Sequence, residues 1–157
     1  MWNLPYDFCK FGLCFFGINT DYYKKDIGLS ETDLLYYDLT REIIGSAMEV
    51  HSTLGPGFLE NVYEEAFAVE LDLRNIRLER QKNIDVFYKN VKIKNYICDL
   101  MVDNKVLIEL KALNNLTTNE YAQTLNYLKA TGLKVGLLFN FGQKSLKYKR
   151  FIKEKSV

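Results

Sequence analysis

Thirteen residues constrain the fold more than any other part of the chain: Asp99-Leu-Met-Val-Asp-Asn-Lys-Val-Leu-Ile-Glu109-Leu-Lys111. Two apolar segments flank a turn at Asp103-Asn104, the pattern of a β-hairpin. Side chains alternate along a strand, so Glu109 and Lys111 share one face with Leu107, while Val106, Ile108 and Leu110 fill the other. A carboxylate and an ammonium in so apolar a strand are costly unless they bind something. Register decides whether Asp99 joins them. A plain two-residue hairpin sets Asp99 opposite Ile108 and turns it away; a three-residue loop or a bulge sets it opposite Glu109. A shared site therefore requires a loop of odd length or a bulge.

A chain of 157 residues is long enough for one domain with a real core, and 48% apolar residues exclude disorder. The net charge of +1 conceals an asymmetry. Residues 143–157 carry +5, through Lys144, Lys147, Lys149, Arg150, Lys153 and Lys155 against Glu154, and the remainder carries −4. Such a tail suits a polyanion such as nucleic acid, or serves only as a solvated terminal strand. Cys9, Cys14 and Cys98 lack zinc-like spacing and are odd in number, which points to a reducing, cytoplasmic setting. No run reaches membrane-spanning length, and Phe11 to Ile18 lacks the flanks of a signal peptide.

Residues 1–30 are aromatic-rich without a period and read as an extension, leaving residues 31–157 as the domain. A first helix starts between Ser30 and Asp38, with a stripe of Ile43, Ala47 and Val50. Leu54-Gly-Pro-Gly57 breaks it. A second helix runs from about Phe58 to Leu73, with positions 58, 62, 66, 69 and 73 as its stripe and Leu59, Tyr63 and Phe67 widening it. Strands follow at Ile84–Tyr88, Val91–Val102 and Val106–Ala112. Thr117-x-x-Glu120 opens a helix that ends at Gly132, with Tyr121, Leu125 and Leu128 facing the core. Val135–Phe141 is the continuous apolar run of a buried strand, and the intervening helix predicts a right-handed crossover to a parallel partner. Leu146 and Tyr148 lie in a predicted last edge strand.

Asp99 beside Glu109 sets two like charges together, so one holds its proton unless a cation intervenes. Mg²⁺ prefers oxygen ligands and phosphate, and Lys111 on the same face can stabilise phosphate charge or orient a water. A structural salt bridge from Lys111 to either acid is the plainer alternative. Glu60 lies at the border of the apolar arc of its helix, from where it can reach a metal or remain a solvated acid favoured by the helix dipole. Gln123 and Tyr127, four apart, share a helix face. His51, the single histidine, is either a packing residue or a phosphate contact ahead of the loop to Glu60. No Walker-type loop or dinucleotide fingerprint is present.

An Asp, a gap of nine residues and Glu-x-Lys resemble the PD-(D/E)XK nuclease superfamily. Gly57-Phe-Leu-Glu60-Asn-Val-Tyr63 resembles the motif that names the GxxExxY proteins. Glu49-Val-His51, Gln123-Thr-Leu-Asn-Tyr127-Leu and Gly136-Leu-Leu-Phe-Asn140-Phe agree in order, and the resemblance covers about residues 38–152. It implies a restriction-endonuclease-like αβββαβ core, with a mixed central sheet flanked by helices. It implies Mg²⁺ or Mn²⁺ held by Asp99, Glu109 and the Leu110 backbone carbonyl, with Lys111 catalytic and Glu60 a direct or water-mediated ligand. Gln123 and Tyr127 would position substrate or ligands. Ile97 departs from the pattern, which commonly has a basic residue there. The implied activity is hydrolysis of phosphodiester bonds in nucleic acid, DNA ahead of RNA; the charge of the tail, independently, makes Lys144, Lys147, Lys149 and Arg150 the expected phosphate contacts. A homodimer is left open. The alternative is a non-catalytic nucleic-acid-binding or interaction module that keeps the fold.

Overall fold

The structure is a computed structural model and describes residues 35–153; the expected extension at residues 1–30 lies outside them. Eight elements follow in order: α1 (Tyr37–Leu54), α2 (Glu60–Leu73), β1 (Leu78–Tyr88), β2 (Val91–Val102), β3 (Val106–Lys111), α3 (Thr118–Thr131), β4 (Val135–Asn140) and β5 (Lys147–Ile152). The strands form one mixed sheet in the order β1-β2-β3-β4-β5. Only β3 and β4 are parallel, because α3 carries the chain back between them; the other neighbours are antiparallel. Helix α3 forms where its ends dictate. Thr117 and Glu120 close a capping box, and Gly132 ends the helix at φ 73°.

The sheet is covered on both faces. Ile43, Ala47 and Val50 of α1 and Tyr63, Phe67 and Leu71 of α2 pack on Leu100, Val106, Ile108, Leu110, Val135, Leu137 and Phe139. On the other face, Tyr127 and Leu128 of α3 pack on Ile84, Cys98, Met101 and Leu107. Every residue of β4 is buried, which explains its unbroken apolar run.

Two turns set the register. Lys89-Asn90 is a two-residue turn with both residues at positive φ, joining Tyr88 to its partner Val91. At Asp103-Asn104 both residues again have positive φ, and the Lys105 N–H donates to the Val102 carbonyl. Lys105 then stays unpaired, and Val106 pairs with Val102. The loop is therefore odd, and the register continued from Leu100↔Ile108 sets Asp99 opposite Glu109. The β2–β3 ladder stops at Leu100, whereas β1 and β2 stay paired out to Tyr88↔Val91. Residues 83–97 thus form a two-stranded ribbon that runs past the end of that ladder, with Ile93 as an extra residue at the shift between Val86 and Phe87.

Several expectations need correction. Helix α2 starts at Glu60, not Phe58, and buries Tyr63, Phe67 and Leu71 rather than the 58/62/66/69/73 stripe. Phe58, Val69 and Leu73 are exposed. Two adjacent arcs of this helix are apolar, and the ring contacts select one. Tyr63 stacks on Phe141 at 4.7 Å, and Phe67 meets Phe139 edge-on at 5.5 Å. The Tyr63 hydroxyl also donates to the Gly55 carbonyl at 2.6 Å, pinning the Gly-Pro-Gly loop to its own helix. Helix α1 opens after Tyr36, at φ 53°, without a side-chain cap. Strand β1 begins six residues before Ile84, because Leu78-Glu-Arg-Gln-Lys-Asn83 pairs with β2 despite its charge. In α3, Leu125 is exposed and Thr124 and Tyr127 are buried in its place.

Candidate active site

Strand parity and the Lys105 loop bring Asp99, Glu109 and Lys111 together. Asp99 Oδ2 accepts from the Leu110 N–H at 2.7 Å, so Asp99 stands against the peptide linking Glu109 and Leu110. Glu109 is 1% exposed, and its Oε1 has no hydrogen-bond partner. Lys111 Nζ lies 3.7 Å from Glu109 Oε2 and 3.6 Å from Glu60 Oε1. Glu60 is the first residue of α2, so the helix start itself delivers the carboxylate to the lysine.

Burial dominates the electrostatics. It raises the Glu109 carboxyl to about 8, and the negative charge of Asp99 adds to the shift. Asp99 is also raised, first by burial, with the Leu110 N–H and Lys111 pulling the other way. Burial draws Lys111 down, but Glu109, Glu60 and Asp99 together outweigh it and hold its ammonium above the usual lysine range. The cluster thus favours the charged form of its lysine.

The donors suit a hard divalent cation. Glu109 Oε1 is a buried acceptor with no donor, an arrangement that costs about 1–3 kcal/mol. A cation between Asp99 and Glu109 would satisfy it and offset the burial that raises both acids, together with the repulsion that Asp99 exerts on Glu109. Among the described residues no three His, Cys, Asp or Glu side chains stand close enough to enclose an ion. Mg²⁺ does not need such a cage; it takes one or two carboxylates and completes its shell with water and phosphate.

The other expected residues divide. Gln123 Nε2 donates to the Tyr127 hydroxyl at 2.8 Å. Tyr127 is buried within the influence of the cluster, since burial and then the charges of Glu109 and Asp99 raise its hydroxyl despite the Gln123 bond. His51 stands behind the end of β3, against Phe141, whose N–H donates to the Lys111 carbonyl at 2.7 Å. Its Nε2 bonds the Gln143 carbonyl at 2.9 Å, its ring is 6.1 Å from Phe141, and no described hydrogen bond or ion pair links it to the cluster. The basic tail splits by parity. Lys111, Asn140 and Lys147 form one row across the sheet, and Glu109, Leu138 and Lys149 another, so both lysines share the acids' face. Arg150 alternates to the opposite face, where Nη2 donates to the Leu35 carbonyl at 2.6 Å. Lys144 is exposed in the β4–β5 loop.

Sequence reading missed two neighbours, Glu64 and Gln81. Glu64, one turn past Glu60, accepts from Arg80 at 3.1 Å and from Gln81 Nε2 at 2.7 Å, and its charge helps raise Asp99. Gln81 lies on β1 between the pairs Arg80↔Leu100 and Lys82↔Cys98, directly across from Asp99, and has φ 47°. Positive φ in mid-strand, at a residue other than glycine, was the feature no periodicity announces. Cys98, next to Asp99, is buried and its thiol is pushed up to about 12, so it stays an inert core group.

Among the described residues no helix is long and apolar enough to cross a membrane. No curated protein matches the chain. Among solved structures, one described as the crystal structure of SSO0001 is 14% identical, covers 89% of this chain and 80% of its own, and has a TM-score of 0.48. The model of the PD-(D/E)XK nuclease superfamily matches residues 37–151, a span that takes in α1, the whole sheet but its last residue and every member of the acid–lysine cluster. On that match the chain belongs to the PD-(D/E)XK nuclease superfamily.

Proposed function

We propose that this protein is a metal-dependent nuclease that hydrolyses phosphodiester bonds in nucleic acid, with DNA ahead of RNA. The observation that carries the reading is the convergence of Asp99, Glu109, Lys111 and Glu60 at the end of β3, around a buried Glu109 oxygen that lacks a donor. Asp99, Glu109 and the Leu110 carbonyl would hold Mg²⁺ or Mn²⁺. Such an ion supplies positive charge against the negative charge building on the phosphate, and it makes water easier to deprotonate.

The chain's own groups do the rest. Lys111 donates to a phosphate oxygen or orients the attacking water, and Glu60 and Glu109 keep its ammonium charged. The water gives up one proton to solvent as its oxygen bonds to phosphorus, the bond to one ester oxygen breaks, and that oxygen takes up a proton in return. Gln123, which donates to the Tyr127 hydroxyl, would steady it for contact with substrate or ligands. Lys147 and Lys149 lie two strands from Lys111 and Glu109, about 10 Å at ordinary strand spacing, and suit phosphates beyond the cut. Membership of the narrower GxxExxY group rests on Gly57 to Tyr63, where Glu60 meets the lysine and Tyr63 ties the glycine loop.

The test compares purified protein with Asp99→Ala and Lys111→Ala on labelled DNA and RNA, in Mg²⁺, Mn²⁺ or EDTA. Cleavage that needs a divalent ion and is lost in both variants is expected. Cleavage surviving both substitutions would place the chemistry elsewhere. No cleavage of any substrate would favour a binding module on the same fold.

A further inference from the structure

The ribbon and α3 enclose a cleft that the acid–lysine chemistry does not use. It holds about 500 Å³ and is lined by Val86 and Phe87 of β1, Tyr96 of β2, and Asn126, Lys129 and Ala130 of α3. A depression of about 310 Å³ shares Asp85 and Ala130 with it, so the two form one groove along α3. Its walls are aromatic where solvent can reach them. Phe87 is 61% exposed, an unusual state for a phenylalanine with a core available, and Tyr96 is half-buried beside it.

The cleft opens on the sheet face that carries the cluster, and a ring contact leads from one toward the other. Tyr96 pairs with Ile84, which packs in the α3-side core together with Leu107, the face-mate of Glu109. The Tyr96 and Tyr127 rings are 5.2 Å apart, and the Tyr127 hydroxyl feels Glu109 and Asp99. Along β2, Tyr96 precedes Asp99 by three residues, about 10 Å. That distance is about three nucleotides at the 3.4 Å rise of a duplex strand, which a single strand keeps where its bases stay stacked, and fewer where it is extended. The polar lining suits a base edge and a phosphate. Asn126 offers donor and acceptor, Lys129 is an exposed cation, and the charge of Asp85 is matched by Lys92 at 2.7 Å and Asn95 at 2.6 Å.

We propose that this cleft is a nucleobase-binding subsite for a single-stranded segment, which stacks an unpaired base on Phe87 and Tyr96 within about three nucleotides of the bond to be cut. A base inside a duplex has no free face to offer such a wall; an unpaired one does. The proposal rests on the nuclease reading for its polymer and adds the strandedness and the subsite.

The test uses full-length protein in EDTA, which separates binding from cleavage, and fluorescence anisotropy of three probes: a short single-stranded DNA, the same strand with abasic sugars, and its duplex. Phe87→Ala removes an exposed ring and leaves the core intact. Ala130→Leu fills the cleft from the α3 side. The expected result is that each variant binds the single strand about tenfold more weakly, a loss typical of one base–aromatic stack. Binding of the abasic strand and the duplex should change by less than about twofold, since their phosphate contacts remain. Equal losses on intact and abasic strands would show a phosphate effect and overturn the subsite, as would unchanged binding of all probes. If those outcomes accompany Mg²⁺-dependent cleavage that Lys111→Ala abolishes, the subsite falls and the nuclease reading stands. If wild type neither binds nor cuts any nucleic acid, both fall.

Discussion

Glu109 is the residue on which the site turns. Its ordinary carboxyl value of 4.5 is raised to about 8 by burial and by Asp99. Without a cation, the folded chain holds this proton more tightly than the unfolded chain does. The stabilisation is therefore fully present below about pH 4.5 and is lost as pH rises through about 8. The raised Asp99 adds in the same direction. Urea midpoints measured in EDTA should fall between about pH 5 and pH 9, and Glu109→Gln should flatten most of that fall. A midpoint that rises with pH across this window would contradict the burial argument. Asp99, Glu109 and Lys111 were legible because each breaks an apolar strand. Glu64 and Gln81 were not, since a helix acid and a strand glutamine are ordinary in sequence; a backbone turned to φ 47° and a 2.7 Å bond give them meaning.

Elements carry those residues into place, and one loop residue decides whether they meet. Lys105 makes the β2–β3 loop odd, and deleting it restores the two-residue hairpin that turns Asp99 away from Glu109. The deletion should abolish cleavage and lower the denaturation midpoint, because the apolar residues of β2 also change face; wild-type cleavage by the deletion would rule out this register. The end of β3 is fixed to β4 by Asn140, which bonds the Leu113 N–H and carbonyl, each at 2.9 Å, and the Gly142 N–H at 3.1 Å. Gly142 packs so closely that an added Cβ would come within 2.4 Å of the Leu113 carbonyl oxygen. Gly142→Ala should therefore destabilise by about 1–3 kcal/mol, read as a lower urea midpoint at constant slope. Element order was legible from breaks and caps, as at Thr117 and Gly132. Which arc of α2 faces inward was not, because 3.6-residue periodicity accepts two neighbouring arcs and only the Phe139 and Phe141 rings choose Tyr63 and Phe67.

At the scale of the molecule, the mixed sheet lays a working face from the β1–β2 ribbon across Glu109 and Lys111 to Lys149 and Lys147 on the edge strand. The sequence showed a basic tail but not its parity, which depends on the β4–β5 register. Replacing Lys147 and Lys149 with alanine should lower the slope of log affinity against log salt by nearly 2, uniformly across sequences. Arg150→Ala, on the opposite face and bonded to Leu35, should leave that slope unchanged and lower stability. Equal slopes for both variants would remove the lysines from the substrate path. The central claim is that two acids hold a cation while Lys111 acts on the phosphate beside them. Calorimetric titration of Mn²⁺ into wild type, Asp99→Ala and Lys111→Ala, each paired with a cleavage assay, tests it most directly. Asp99→Ala should lose both metal binding and cleavage, whereas Lys111→Ala should keep the metal and lose cleavage. Mn²⁺ binding that survives Asp99→Ala unchanged, or cleavage that survives Lys111→Ala, would contradict the account.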